Sequence, residues 1–136
     1  MSQLLAIDYG SKRTGIAVTD DLQMIASGLT TVATKELISF LKKYTSENKV
    51  EAFVIGEPKR MHGEASDIEG DIKKFIIQVE KEFPAIKIHR IDERFTSKMA
   101  FETMLQSGIS KKKRRNKELV DKISATLILQ DFLNYR

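Results

Sequence analysis

Leu4-Leu5-Ala6-Ile7-Asp8-Tyr9-Gly10-Ser11-Lys12-Arg13-Thr14-Gly15-Ile16-Ala17-Val18-Thr19 is the stretch on which the fold turns. Leu4 to Asp8 is a short apolar run of strand length that reads as a buried strand, and Gly10 lies in a turn spanning Tyr9 to Arg13. Gly15 to Thr19 begins a second strand, which ends at Asp20-Asp21, and Gly28 to Ala33 reads as a third. No helical periodicity separates the three, so hairpin connections and an antiparallel meander are expected.

The pattern then changes. From Thr34, a plausible N-cap, Leu37, Ile38, Leu41 and Tyr44 recur at helical spacing as far as Asn48. Ala52 to Gly56 is a short buried strand. A second helix carries Ile68, Ile72, Phe75, Ile76, Val79 and Phe83, with Pro84 as its stop, and Ile86, Ile88 and Ile91 form a fifth strand. Helices between successive strands imply parallel crossovers, so the sheet should be mixed. Thr96 or Ser97 can cap a third helix that ends near Gly108. The last helix runs from about Glu118 to Leu133, with Val120, Ile123, Leu127 and Leu133 as core-facing candidates.

At 136 residues, 41% of them hydrophobic, the chain has room for one core, and a single domain over residues 1–136 is expected. Its longest apolar stretches are far below the roughly 20 residues that a membrane crossing needs. The N-terminus lacks a secretion pattern and the chain has no cysteine, so a cytoplasmic protein without disulfides or thiolate metal sites is expected. Charge is uneven. Of 23 Lys and Arg against 19 Asp and Glu, six bases (Lys111, Lys112, Lys113, Arg114, Arg115 and Lys117) fall together without an acid, and the remaining 17 against 19 give −2. A nearly neutral body with one concentrated cationic segment suits a local phosphate backbone; a solvated charged loop is the plainer alternative.

Three acids stand where chemistry could occur. Asp8 closes the first strand before two glycines and the cations Lys12 and Arg13, a place suited to a metal and a phosphate, although such an Asp can also simply bond its own turn. Asp92 and Glu93 close the fifth strand on the same rim. Adjacent acids need a cation, which could be Arg94 in a structural ion pair or a divalent metal. Asp121 shares a helical face with Ser124, Ala125 and Ile128, whose small members permit close approach to the sheet; it could equally serve the helix dipole. Three such carboxylates suit phosphodiester hydrolysis by two Mg²⁺ (or Mn²⁺) ions, which needs neither His nor Cys. His62 and His89 are too dispersed for zinc; His89 belongs to a strand and His62 to a loop.

With these residues assembled, the chain resembles the YqgF/RuvX family of Holliday-junction resolvases in the RNase H-like superfamily, also described as pre-16S rRNA nucleases. The resemblance spans nearly the whole chain. It is carried by Ala6 to Asp20, by Val54-Ile-Gly56-Glu-Pro58, by Asp92-Glu93-Arg94-Phe-Thr96-Ser97 and by Val120-Asp121-Lys-Ile-Ser-Ala125. It implies an α/β, RNase H-like fold with a mixed five-stranded sheet of order 3-2-1-4-5 flanked by helices. It also implies metal-dependent cutting of structured nucleic acid with Asp8, Glu93 and Asp121 as catalytic ligands, and Lys12, Arg13 and Arg94 on phosphate or steadying the carboxylates. From the cationic segment, Lys111, Lys112, Lys113, Arg114 and Arg115 are the further residues expected to bind nucleic acid.

The sequence departs from the family pattern at one loop. Gly56-Glu57-Pro58 stands for Gly-Leu-Pro, and Arg60-Met61-His62-Gly63 for Asn-Met-Asp-Gly. In the order 3-2-1-4-5, strand five lies two spacings, about 9 to 10 Å, from strand one. By that count Glu57 is nearer to Asp8 than Glu93 is and could be an extra or substitute ligand, whereas the family motif favours Glu93 reaching back over Gly56. The substrate is expected to be a structured RNA precursor or branched DNA, handled by a monomer or a homodimer. A non-cleaving nucleic-acid binder of the same fold is the competing reading. A phosphoryl-transfer role, suggested by likeness to the first phosphate loop of actin-like ATPases, would need a second domain for which the chain is too short.

Overall fold

The computed structural model describes residues 1–58, 67–94, 96–106 and 116–136. Its strands are β1 (Gln3–Asp8), β2 (Arg13–Thr19), β3 (Ala26–Ala33), β4 (Val50–Glu57) and β5 (Lys87–Asp92). Its helices are α1 (Leu37–Glu47), α2 (Glu69–Glu82), α3 (Ser97–Gln106) and α4 (Lys117–Tyr135), and a 3₁₀ turn, Thr34–Glu36, precedes α1. The sheet runs β3-β2-β1-β4-β5. β2 pairs antiparallel with β1 and β3, whereas β4 is parallel to both β1 and β5. The meander, the mixed sheet and its order agree with the reading of the sequence.

Two cores of different texture cover the two faces. On one, Leu5, Ile7, Ile16, Phe53 and Ile55 meet Leu37 and Leu41 of α1 and Ile72, Phe75 and Val79 of α2. On the other, Leu4, Ala6, Ala17, Ala52 and Val54 meet Ala125, Ile128 and Leu129 of α4. The first face is filled by large side chains, each contributing about 1.5–3 kcal/mol on full burial. The second is lined by small ones, which lets α4 lie close against the sheet.

Two expectations are corrected. Thr34 does not cap α1: its hydroxyl donates to the Gly10 carbonyl at 2.6 Å and lies 2.9 Å from the Thr14 hydroxyl, locking the β1–β2 turn to the start of the 3₁₀ turn. The buried face of α4 consists of Ser124, Ala125, Ile128, Leu129 and Asp131, which includes the three residues read as sharing a face with Asp121; of the core-facing candidates Leu133, partly buried, packs against this core, while Val120, Ile123 and Leu127 are only partly buried. Apolar residues surround most of this helix, so their spacing has little contrast, and closeness of approach selects the small residues instead.

Candidate active site

Pleating decides which acids share a face. Leu4 and Ala6 point toward α4, and so therefore does Asp8, at the end of β1. In β4, Phe53 and Ile55 face α1 and α2, Gly56 faces α4, and Glu57 turns back to the first side. There Arg90 reaches it, with Nη1 4.0 Å from Glu57 Oε2, and also holds buried Glu69 of α2 at 2.8 Å. Asp92, the register partner of Glu57, likewise turns away from Asp8. Counting strands made Glu57 the nearer acid to Asp8; the direction of its side chain places it on the opposite face.

Glu93 comes back to the α4 face just beyond β5. Its backbone N–H donates to the Glu57 carbonyl at 3.1 Å, and its carboxylate lies over Gly56, where any Cβ would collide with it. Asp8 and Glu93 are then joined by a residue that the sequence did not single out. Lys98, in the first turn of α3, places Nζ 3.1 Å from Asp8 Oδ1, against Glu93 Oε1, and 3.3 Å from Glu102 Oε1. All but Glu102 are nearly buried, with side-chain exposures of 15% for Asp8, 12% for Glu93 and 10% for Lys98. The available signal was position: a cation in the first turn of a helix opposes the macrodipole and calls for a specific partner.

Burial dominates the electrostatics. Desolvation lifts the Asp8 carboxyl from 3.8 to about 6, against the pull of Lys98 and with a further push from Glu93. Desolvation raises Glu93 for the same reason, again partly offset by Lys98. Burial acts downward on the Lys98 ammonium, but Asp8, Glu93 and Glu102 together outweigh it and hold the group above the ordinary lysine value.

α3 is fixed by its own end. The Thr96 hydroxyl donates to the Glu93 carbonyl at 2.6 Å and accepts from the Met99 N–H at 3.3 Å, as a cap does. Asp131 of α4, 3% exposed, accepts from Ser97 N–H at 2.8 Å and from Ser97 Oγ at 2.9 Å. This acid, also hidden in the sequence, is an anion at a helix N-terminus inside the fold. Asp131→Ala should leave the Ser97 donors unpaired and lower stability by about 1–3 kcal/mol. It should also loosen Lys98, so activity well below the melting temperature falls too; thermal melts and cleavage rates measured together check both.

Asp121 and Arg13 form the other half of the site. Gly15, the register partner of Asp8, lets the Asp121 backbone carbonyl press against β2, which brings Asp121 one strand over from Asp8. Its carboxylate is held by Arg13, with Nε 2.9 Å from Oδ2. Lys12, which precedes Arg13 in the chain, is exposed. Arg94 turns to Asp92, with Nη2 2.7 Å from Oδ2, in the structural ion pair weighed from the sequence. His89 packs on Phe132 of α4, ring centroids 5.2 Å apart. Lys111, Lys112, Lys113, Arg114 and Arg115, like Arg60, His62 and Gly63, lie outside the described residues.

Asp8 and Glu93 are thus brought together through Lys98, while Asp121 lies one strand over from Asp8, its carboxylate tied to Arg13. No three carboxylate or imidazole groups among the described residues form a ready metal cluster. The donor set nevertheless fits a divalent cation. Nearly buried Asp8 and Glu93, with half-exposed Glu102, surround a single ammonium, an excess of two negative charges, and the missing Cβ of Gly56 makes room for the Glu93 carboxylate. Oxygen-only donors favour Mg²⁺ or Mn²⁺ over zinc.

A mixed five-stranded sheet of order 3-2-1-4-5 with helices on both faces is an α/β fold of the RNase H-like kind. The chain belongs to the RuvX family: the family model described as Holliday junction resolvase matches residues 2–135. It is therefore placed among hydrolases of phosphodiester bonds. It is 59% identical, over 98% of its length and 97% of the relative's, to a Flavobacterium johnsoniae protein named "Putative pre-16S rRNA nuclease". A Bacteroides thetaiotaomicron protein of the same name is 53% identical over 98% of this chain and 96% of its own. Among solved structures, the Fowlpox virus resolvase, crystallised with substrate Holliday junction DNA, superposes with a TM-score of 0.56 over 97% of both chains at 13% identity, a likeness of fold. No helix among the described residues is long and apolar enough to cross a membrane.

Proposed function

We propose that this protein is a divalent-metal-dependent endonuclease that cuts structured nucleic acid as a single catalytic domain, with a ribosomal RNA precursor as its substrate and the cytoplasm as its place of action. The observation that carries the reading is the meeting of Asp8 and Glu93 over Gly56 on the face covered by α4. Their carboxylates, with Asp121, would hold Mg²⁺ or Mn²⁺, two ions in the full site. When bound, the metal supplies activation of a water and stabilisation of the leaving oxygen. Arg13 steadies Asp121, Thr96 and Asp131 fix the start of α3, and the small-residue face keeps α4 close. Exposed Lys12 and the basic run Lys111 to Arg115 bind phosphate. The name borne by the relatives at more than half identity favours RNA; the description of the family model favours four-way DNA junctions as the second reading.

A cleavage assay that offers a precursor-type structured RNA and a four-way junction side by side, with Mg²⁺ or Mn²⁺, decides between them. Cutting of RNA alone is expected. Paired symmetric cuts in the junction alone would transfer the assignment to resolution and call for a homodimer rather than a monomer. Salt-sensitive binding without products from either would support the non-cleaving binder. Replacing the five bases from Lys111 to Arg115 with Gln should flatten the salt dependence of binding, by about 0.7–0.9 in log–log slope for each phosphate that is no longer neutralised.

A further inference from the structure

We propose that Lys98 is a resident cation of the site: its ammonium holds Asp8 and Glu93 together in the metal-free protein, a divalent ion displaces it, and Glu102 receives it. The proposal rests on the reading of Asp8 and Glu93 as metal ligands and adds a competitor to it.

The geometry is that of a stand-in. Asp8 and Glu93 come from strands that are not neighbours, and two like charges at a nearly dry site repel unless a cation lies between them. Lys98 Nζ is that cation, 3.1 Å from Asp8 Oδ1 and touching Glu93 Oε1. A divalent ion shared by the same two oxygens would need the same position. Both cannot occupy it, since the ammonium would then lie within a few ångströms of a doubly charged ion.

Departure is built into the side chain. Glu102 lies one turn along α3, with Oε1 3.3 Å from the ammonium, and it is 49% exposed where Asp8 and Glu93 are nearly buried. A lysine stem has four rotatable bonds, so the head can turn from the inner pair toward the outer acid without any motion of the helix. Moving in that direction returns the ammonium to water, which solvates it strongly, and leaves the inner carboxylates to the metal. The dipole of α3 also disfavours a cation in its first turn, so it is the acids that keep Lys98 in place. In the metal-free protein the arrangement keeps the ligands assembled; in the loaded protein it leaves a cation at the edge of the site.

The test is Mn²⁺ binding by calorimetry to metal-free protein, without nucleic acid. It compares wild type, Lys98→Met, Glu102→Gln, the double variant and Asp8→Asn. Lys98→Met should bind Mn²⁺ about tenfold tighter or more, because a positive charge leaves the site. Its metal-free melting temperature should fall, and Mn²⁺ should restore it. Glu102→Gln should bind more weakly than wild type, since the displaced ammonium loses its second position, and the same change should have little further effect beside Lys98→Met. Unchanged or weaker affinity in Lys98→Met overturns the proposal. Should that variant fail to fold without metal, Glu102→Gln decides alone, and affinity equal to or above wild type overturns it. Wild type that binds Mn²⁺ with no gain from Lys98→Met removes the displacement model only. Wild type that binds none, or Asp8→Asn that binds as well as wild type, removes the metal site itself and this proposal with it.

Discussion

Asp8→Asn should abolish metal-dependent cleavage, by about a thousandfold or more, and at the same time raise the melting temperature of the metal-free protein. The loss follows from removing a ligand charge at a site where the metal contributes several kcal/mol to the transition state, each 1.36 kcal/mol being tenfold in rate. The gain follows from the strain of an ionised carboxylate at that position. Burial moves Asp8 from 3.8 to about 6, so ionising it in the folded protein at neutral pH costs about 3 kcal/mol relative to the unfolded chain. Asparagine keeps the shape and removes the charge. Lys98 still has Glu93 and Glu102, so the variant does not strand a buried ammonium.

The sign of the pH dependence makes this separable from a generic packing effect. A carboxyl raised in the folded state favours folding most when it is protonated. Its contribution is full below about 3.8 and disappears as pH rises through about 6. Wild type and Asp8→Asn should therefore melt together near pH 4 and diverge through pH 6, with the variant the more stable at neutrality. Melts run in a chelator across that range, beside cleavage assays with Mg²⁺, read both halves. Equal melting temperatures at pH 7 would show that the carboxylate is not strained, and surviving cleavage would remove Asp8 from the mechanism. Sacrificing stability to hold charge in a dry place is a common property of active sites.

What the sequence disclosed was whatever depends on neighbours along the chain. The meander of β1 to β3 follows from strand-length runs with Gly10 between them, and the parallel pairing of β4 and β5 from the helices that intervene. Asp8 and Glu93 were legible as acids at strand ends, and Asp121 as an acid on a helix face shared with small residues. Less legible was everything decided by side-chain direction. Glu57 is closer to β1 than Glu93 is, yet the pleat turns it to Arg90 and Glu69. Thr34 has the chemistry of a cap, but it lies inside the 3₁₀ turn that precedes α1, and its hydroxyl goes to the Gly10 carbonyl. Lys98 and Asp131 were hidden more deeply. A lysine or an aspartate on a helix ordinarily meets water, and apart from Glu102 one turn along the same helix nothing local says that Asp8 and Glu93 converge on the Lys98 ammonium or that Ser97 will sit over α4. On α4 the small residues Ser124 and Ala125, with Ile128, disclosed the buried face, whereas apolar spacing did not, because apolar residues are distributed almost all round; the closest approach is made by the Asp121 backbone against Gly15.

That close approach should make Gly15→Val among the most damaging substitutions in the chain. A Cβ at Gly15 would fall inside the carbonyl oxygen of Asp121, with the following peptide nitrogen, Lys122 N, only 3.2 Å away. Both partners are backbone, one in a strand paired on both sides and one within the 19-residue helix α4, so neither can yield without moving the helix. Overpacking of this kind costs about 3 kcal/mol or more, at the upper end of the usual range. Because Asp121 and Asp131 travel with α4, cleavage should be lost along with stability. Gly56→Ala provides the contrast. There the new Cβ meets the end of the Glu93 side chain and, at 3.1 Å, the Cδ1 atom of Ile128, both of which can rotate. Gly56→Ala should fold with a modest drop in melting temperature yet displace the Glu93 carboxylate and depress cleavage. Comparable melting temperatures for the two variants would contradict the placement of α4 against β2, and full activity in Gly56→Ala would contradict the placement of Glu93 over β4.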